Sequence, residues 1–217
     1  HSPRTLRRWQ KERLDRFFRE DVRDLEPIRD LSTFQLLADL LPDRVGSLLS
    51  LNSLREDLEV SHRALTHWMD VLETMYHVFR VRPFAGPRSR LLGKMPKAYL
   101  WDSSLVPARA ARFENLVASH LLKLCHFLED TEGHPTELRY LRDREGREVD
   151  FLVMAGRKPW FLVEAKVSET RVDPAVVLFK ERLGVPWAYQ VTLEGGRDFV
   201  QDGVRVVPAS RFLAGLV

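Results

Sequence analysis

Apolar residues recur at helical spacing along the first part of the chain. The stretch from Leu6 to Leu25 predicts a highly charged amphipathic helix, or arm, that ends before Pro27. Residues 32 to 41 predict a second helix, because their apolar side chains fall on one face and Pro42 follows. For this second helix, Ser32 or Thr33 is the expected N-cap.

The next segment has the spacing of a helix-turn-helix unit. A short helix is predicted from Ser53 to Glu59 and a longer one from Arg63 to Met75, with Ser61 as the N-cap of the second. Residues Val78 to Phe84 then alternate as a strand, and Lys97 to Trp101 is its expected return. This order predicts a winged-helix-like unit.

After Pro107 the pattern changes to one long helix followed by short strands. The helix is predicted from Arg109 to Leu128. Strands are predicted at Glu137–Arg142, Glu148–Val153, Trp160–Val167, Trp187–Leu193 and Val204–Pro208. One further helix, Pro174–Leu183, is predicted between the third and fourth of these strands. The sequence therefore predicts a mixed α/β protein, with an arm (residues 1–30), a helical winged-helix-like part (31–95) and an αβββαβ core (96–217).

Composition narrows the class of protein. The chain has 217 residues, no uninterrupted apolar run of the length that a membrane span needs, and a single cysteine, Cys125. One cysteine forbids an internal disulfide and a thiolate zinc cluster, so we expect a soluble protein of the cytoplasm with no membrane partner. Because His1 is not an initiator methionine, we expect a fragment of a longer protein.

Positive charge is concentrated in the middle of the chain. Residues 80 to 123 contain nine lysines and arginines and two acidic residues, a net charge of +7, against +3 for the whole chain. A basic segment of this kind suits a nucleic acid or an acidic protein surface, although a solvated basic face explains it equally well. The residues that would contact a nucleic acid lie at the start of the second helix and on the wing: Ser61, His62, Arg63, Arg80, Arg82, Arg88 and Arg90.

Two acidic residues are expected to face each other on neighbouring strands. Pairing Phe151 with Val163 places Asp150 opposite Glu164, where like charges destabilise a sheet unless a cation intervenes. Mg²⁺ would supply that cation, and Lys166, on the same face as Glu164, could orient or activate a water molecule. Glu114, on the long helix, is a candidate fourth member. The simpler alternative is an exposed strip of salt bridges.

The acidic series Glu114, Asp150 and Glu164-x-Lys166 resembles the PD-(D/E)xK nuclease-like core, although Val149 stands where that pattern has proline. The chain as a whole resembles the C-terminal domain of unknown function that follows an AAA-type ATPase domain in many prokaryotic ATP-binding proteins. The residues that carry this likeness are Arg19–Leu25, Arg63–Glu73, Pro96–Asp102, Phe113–Val117 and Glu148–Phe151.

The resemblance implies a winged helix joined to a restriction-endonuclease-like domain. Asp150 and Glu164 would bind Mg²⁺, while Lys166 and Glu114 would assist hydrolysis of nucleic-acid phosphodiesters. ATP would bind only to an upstream ATPase domain, since the chain has no GxxxxGK[ST] motif. Lys97 and Asp102 also match, and for these two we expect structural ion pairs.

Two other roles stay open at this stage. The chain could be a nucleic-acid-binding or protein-binding regulatory module of the ATPase, in which the nuclease-like fold is only a scaffold. The arm could also dock on a partner or form a homo-oligomer through Trp9, Phe17 and Phe18, if these side chains are exposed. The alternative is that the arm packs on its own domain, as amphipathic arms often do.

Overall fold

The N-terminal third of the computed structural model is helical. The structure describes residues 2–22, 28, 30–85, 95–168 and 171–216. Its helices in this part are α1 (Pro3–Arg16, continued as a π-helix over Phe17–Val22), α2 (Leu31–Leu40), α3 (Leu51–Asp57) and α4 (His62–Thr74).

Caps fix where two of these helices begin. The Ser61 hydroxyl accepts a hydrogen bond from the Ala64 amide at 3.1 Å, which confirms Ser61 as the N-cap of α4. Helix α2 is capped by Asp30, whose carboxylate accepts from the Thr33 amide at 3.0 Å, so the expectation of a Ser32 or Thr33 cap was wrong. The helix therefore begins at Leu31, and its cap lies two residues before Ser32.

The arm packs on its own chain. Phe18 is 1% exposed, and Phe17 stacks on His77 with ring centroids 5.3 Å apart. The hypothesis of exposed Phe17 and Phe18 was therefore wrong, and the alternative, an arm that packs on its own domain, is confirmed. Gln10 donates to the Ser104 hydroxyl at 2.8 Å and so ties α1 to the connection after the second strand. Of the three aromatic residues, Trp9 is the exposed one, with half of its surface in solvent.

All the strands belong to one sheet. They are β1 (Val78–Pro83), β2 (Lys97–Leu100), β3 (Thr136–Arg142), β4 (Glu148–Ala155), β5 (Lys158–Lys166), β6 (Trp187–Thr192), β7 (Phe199–Gln201) and β8 (Val204–Pro208), arranged in the order β2-β1-β3-β4-β5-β6-β8-β7. The remaining helices are α5 (Arg109–Glu132), α6 (Pro174–Leu183) and α7 (Ala209–Ala214). This is the mixed α/β fold that the sequence predicts.

Strands β1 and β2 form the predicted antiparallel pair, but the pair is also part of the large sheet. The last residues of β1 run parallel to β3, with Arg82 beside Arg139 and Pro83 beside Tyr140. The two strands thus extend one edge of the sheet, and they connect the segment predicted as winged-helix-like to the α/β core.

The sheet is covered on both faces, which explains why its central strands are apolar on both sides. One face carries α5 and the N-terminal helices over Phe151, Val153 and Val163. The other carries α6, with Phe179 packed near Leu152 and Leu162. Helix α6 has the bounds that the sequence predicts, because Asp173 caps its start and Gly184, at φ 63°, ends it in the left-handed conformation.

Candidate functional site

Asp150 and Glu164 meet across β4 and β5, as predicted. The register pairs Phe151 with Val163 and Val153 with Phe161. The Asp150 amide donates to Glu164 Oε2 at 3.1 Å, and the Ala165 amide donates to Asp150 Oδ2 at 3.0 Å. Each carboxylate is therefore fixed by the backbone of the opposite strand, which holds the two acids side by side.

Lys166 lies between two carboxylates. Its Nζ is 2.7 Å from Glu164 Oε1 and 3.0 Å from Asp173 Oδ2. Burial acts to lower the pKa of Lys166, but these two partners outweigh it and raise the pKa above its usual value. The side chain is thus an ammonium at neutral pH, and it has no lone pair with which to accept a proton.

A pocket of about 660 Å³ opens beside these residues. Asp150, Glu164, Lys166 and Asp173 all contribute to its walls, together with the first turn of α6. The predicted pair of acids and the predicted lysine therefore reach the same solvent-accessible space.

Glu114, expected as the fourth member, is directed elsewhere. Its Oε1 accepts a hydrogen bond from the Tyr99 hydroxyl at 2.7 Å and lies 3.3 Å from Lys97 Nζ. It is not part of the pocket wall. The long helix brings Glu114 to the sheet, where Lys97 and Tyr99 of β2 supply both of these partners.

Lys97 is the centre of an ion cluster. Its Nζ lies 2.5 Å from Glu148, 3.3 Å from Glu114 and 3.7 Å from Asp150, and the side chain is 2% exposed. Burial alone would lower the pKa of Lys97, but Glu114, Asp150 and Glu148 together raise it above its usual range. The expectation of structural ion pairs for Lys97 and Asp102 is confirmed, since Asp102 pairs with Arg13 at 3.0 Å.

The charge of the two central acids is only partly balanced. Burial, followed by the charges of Glu164 and Glu114, raises the pKa of Asp150 well above its usual value, even though Lys97 acts in the opposite direction. Burial also raises the pKa of Glu164, against the opposing effect of Lys166. Such shifts are typical of sites that take up a cation or a proton.

The carboxylates at the pocket could hold Mg²⁺ only together with water and substrate phosphates. Within the described ranges, no three histidine, cysteine, aspartate or glutamate side chains converge as a metal site. Mg²⁺, however, is commonly held by one or two carboxylates, with water and substrate phosphates completing the shell. Asp150 and Glu164 provide two, and each oxygen has a lone pair beyond the one used in its backbone hydrogen bond.

Two residues that complete the site, Asp173 and Gln190, could not be predicted from sequence patterns. Asp173 faces Lys166 from the loop before α6, and that loop is held by Gln190 on β6. The Gln190 side chain accepts from the Asp173 amide at 2.9 Å and donates to the Arg171 carbonyl at 3.3 Å. An acidic N-cap before Pro174 was readable as a helix start, but nothing in the spacing linked it to Lys166.

Some of the residues predicted to contact a nucleic acid are exposed, and others are already paired or used within the fold. Arg80 is held by Glu73 and by Asp70, the latter at 2.8 Å, and it is 18% exposed, so its charge is already paired. His62, Arg63 and Arg82 are exposed, while the Ser61 hydroxyl is used as the cap of α4. Arg88 and Arg90 lie outside the described residues.

The fold and the site define a mixed α/β protein with a helical N-terminal part and a paired-carboxylate pocket on its sheet. The chain belongs to the family described as "Domain of unknown function (DUF8612)", whose model matches residues 1–116. A second family, "Domain of unknown function (DUF4143)", matches residues 110–212. No curated protein matches the chain.

A solved structure with some similarity to the chain is the half-complex of Thermococcus gammatolerans McrB AAA+ hexamers with bound McrC. The sequence identity is 8% and the TM-score 0.31, over 80% of this chain and 46% of that one. The chain thus spans less than half of the matched chain, and the likeness is too low to bear on fold or function. Among the described residues, no helix has the length and apolarity needed to cross a bilayer.

Proposed function

We propose that the chain contains a metal-dependent phosphodiesterase site that acts on nucleic acid, with Asp150 and Glu164 as the metal ligands and Lys166 as the cationic residue beside them. One observation carries this proposal: the two acids pair across adjacent strands and share the wall of one open pocket with Lys166. A bound Mg²⁺ would supply Lewis-acid charge at the phosphate and lower the pKa of a water molecule.

The residues of the chain set the remaining roles. Lys166 has three N–H donors, and two of them face Glu164 and Asp173, which leaves one for a phosphate oxygen. Because it stays protonated, we assign Lys166 to charge stabilisation and orientation rather than to proton removal. Glu114 acts at a distance, through Lys97, and is a positioning residue in this proposal.

The test is a cleavage assay with the full 217-residue chain. Single- and double-stranded DNA and RNA are incubated with Mg²⁺, with Mn²⁺ and with EDTA. We expect metal-dependent cleavage that Lys166→Ala and Asp150→Asn reduce by about 100-fold or more while the folded state persists. Lys158→Ala is the matched control, since Lys158 is exposed at the other end of the same strand. The proposal fails if no substrate is cleaved with either metal, or if Lys166→Ala cleaves as well as Lys158→Ala.

A second function is favoured by a different observation. Lys97 already supplies a positive charge to Glu114, Glu148 and Asp150, which is what a non-catalytic scaffold would need. In that case the chain is a regulatory module that binds nucleic acid through exposed basic residues such as Arg63 and Arg82. Binding without cleavage, with an affinity that falls by a slope of about −0.9 per phosphate contact as salt rises, supports this function. A salt-independent affinity contradicts it.

We also propose an AAA-type ATPase as the partner of this chain. The support is the series of sequence motifs that resembles the region after such ATPase domains. Co-elution of the chain with an ATPase domain of that class on size-exclusion chromatography would support the partnership. Separate elution with and without ATP would refute it.

A further inference from the structure

Lys97 keeps a charged ammonium group in the interior of the protein. A lysine that is 2% exposed has lost almost all of its hydration, which is strongly unfavourable unless close partners replace the water. Here three carboxylates surround Nζ, and the ring of Tyr140 lies 5.7 Å away. The site is therefore built around one positive charge.

The carboxylates depend on Lys97 to different degrees. Glu148 also pairs with Arg142 at 2.7 Å, so it would keep a cationic partner without the lysine. Glu114 and Asp150 contact no other cationic side chain among the residues that the structure describes. Without Lys97, Asp150 would be left in a low-dielectric environment with the charges of both Glu164 and Glu114 acting on it.

The choice of residue is consistent with this geometry. The chain has 27 arginines and only seven lysines, yet a lysine occupies this position. Three carboxylates that converge on one point suit a compact ammonium, whereas a guanidinium is planar and pairs side by side with one or two acids. The cluster also has a hydroxyl donor, since Tyr99 donates to Glu114.

We propose that Lys97 is the resident counter-cation of this cluster: it holds Glu114, Glu148 and Asp150 together without a metal ion and thereby positions Asp150 at the pocket. Lys97 is a positioning residue in this role. Lys97 has this role whether or not the pocket is catalytic, because the three carboxylates repel one another wherever the sheet and α5 bring them together.

The experiment is thermal unfolding of the full chain in EDTA, without nucleic acid. Lys97→Met keeps the length of the side chain and removes its charge, and we expect its melting temperature to fall by about 10 °C. Lys158→Met is the control and should change the melting temperature by less than about 2 °C. A Lys97→Met loss no larger than that of the control overturns the proposal.

Two further measurements test the charge itself. Lys97→Met/Glu114→Gln should be more stable than Lys97→Met alone, because the second substitution removes a carboxylate that has lost its partner. Addition of Mg²⁺ should raise the melting temperature more for Lys97→Met than for the wild type, since the ion takes over the missing charge. A double variant as unstable as the single one, or an equal effect of Mg²⁺ on both proteins, overturns the proposal.

Lys97→Met could fail to fold on its own. The double variant then gives the answer, because the net charge of its cluster equals that of the wild type and it should fold in EDTA. If it does not fold, Lys97 acts through packing and the proposal is wrong. Since these measurements use no nucleic acid, they are independent of the cleavage assay.

Discussion

His77 connects the stability of the chain to pH. It is 7% exposed, stacks on Phe17, and its Nε2 finds no hydrogen-bond partner among the described residues. Burial, with the nearby charge of Arg13 adding to it and that of Asp102 opposing it, lowers its pKa from 6.5 to about 4. The folded state therefore holds His77 neutral at a pH where the unfolded chain already binds a proton.

The sign and size of the effect follow from this difference. A histidine whose pKa is depressed on folding contributes its full stability above 6.5, and that contribution is lost as the pH falls towards about 4. A difference of about 2.5 pKa units corresponds to about 3 kcal/mol of unfolding free energy between neutral pH and about 4. This is a large fraction of the stability of an ordinary domain.

The assay is urea unfolding of the wild type and of His77→Phe across that pH range. Phenylalanine keeps the stacked ring and cannot titrate, so the wild type should lose about 3 kcal/mol more than the variant on acidification. At neutral pH the variant should be as stable as the wild type or slightly more so, because no buried nitrogen is left unpaired. If the two proteins lose stability in parallel, His77 does not titrate as its burial requires.

Two further substitutions test the acidic cluster. Gly46→Ala should lower the unfolding free energy by about 1–3 kcal/mol in urea unfolding. The reason is that Gly46 has φ 76° and an added Cβ would lie 2.8 Å from Glu114 Oε2. An unchanged unfolding free energy would contradict the packing of Glu114 against this turn. Asp150→Asn should raise the melting temperature at neutral pH, because a carboxyl whose pKa is raised on folding costs stability above its unfolded value of 3.8. The difference from the wild type should narrow as the pH approaches 3.8, and a lower melting temperature for the variant at neutral pH would show that Asp150 stabilises the fold.

Much of the α/β part could be predicted because its signals are local. Alternation along β4 and β5 sets their register, since a slip of one residue would turn the apolar side chains of Phe151 and Val163 to the other face. Asp173-Pro174 and Gly184 mark both ends of α6 for the same reason. Strand β7 was missed because it has only three residues, none of them buried.

The site was less predictable because its contacts join distant segments. The paired acids could be predicted from the register of β4 and β5, but the sequence could not show that Lys97 reaches Asp150 from β2. The spacing of apolar residues shows that a helix has an apolar face, but it does not show which residues cover that face. The contacts that bury Phe18 of the arm therefore could not be predicted. The division into an arm, a winged-helix-like part and a nuclease-like part stays a prediction.

The position of Lys97 in the chain limits how the two matched families can be treated. The lysine falls within residues 1–116, the range of the first family, whereas Glu148 and Asp150 fall within residues 110–212, the range of the second. The two ranges overlap at residues 110–116, and a cut in this overlap would separate Lys97 from Glu148 and Asp150 and would also divide the sheet between β1 and β3. In this protein the parts matched by the two family models are not interchangeable modules, because a cation in one part is the counter-charge of acids in the other.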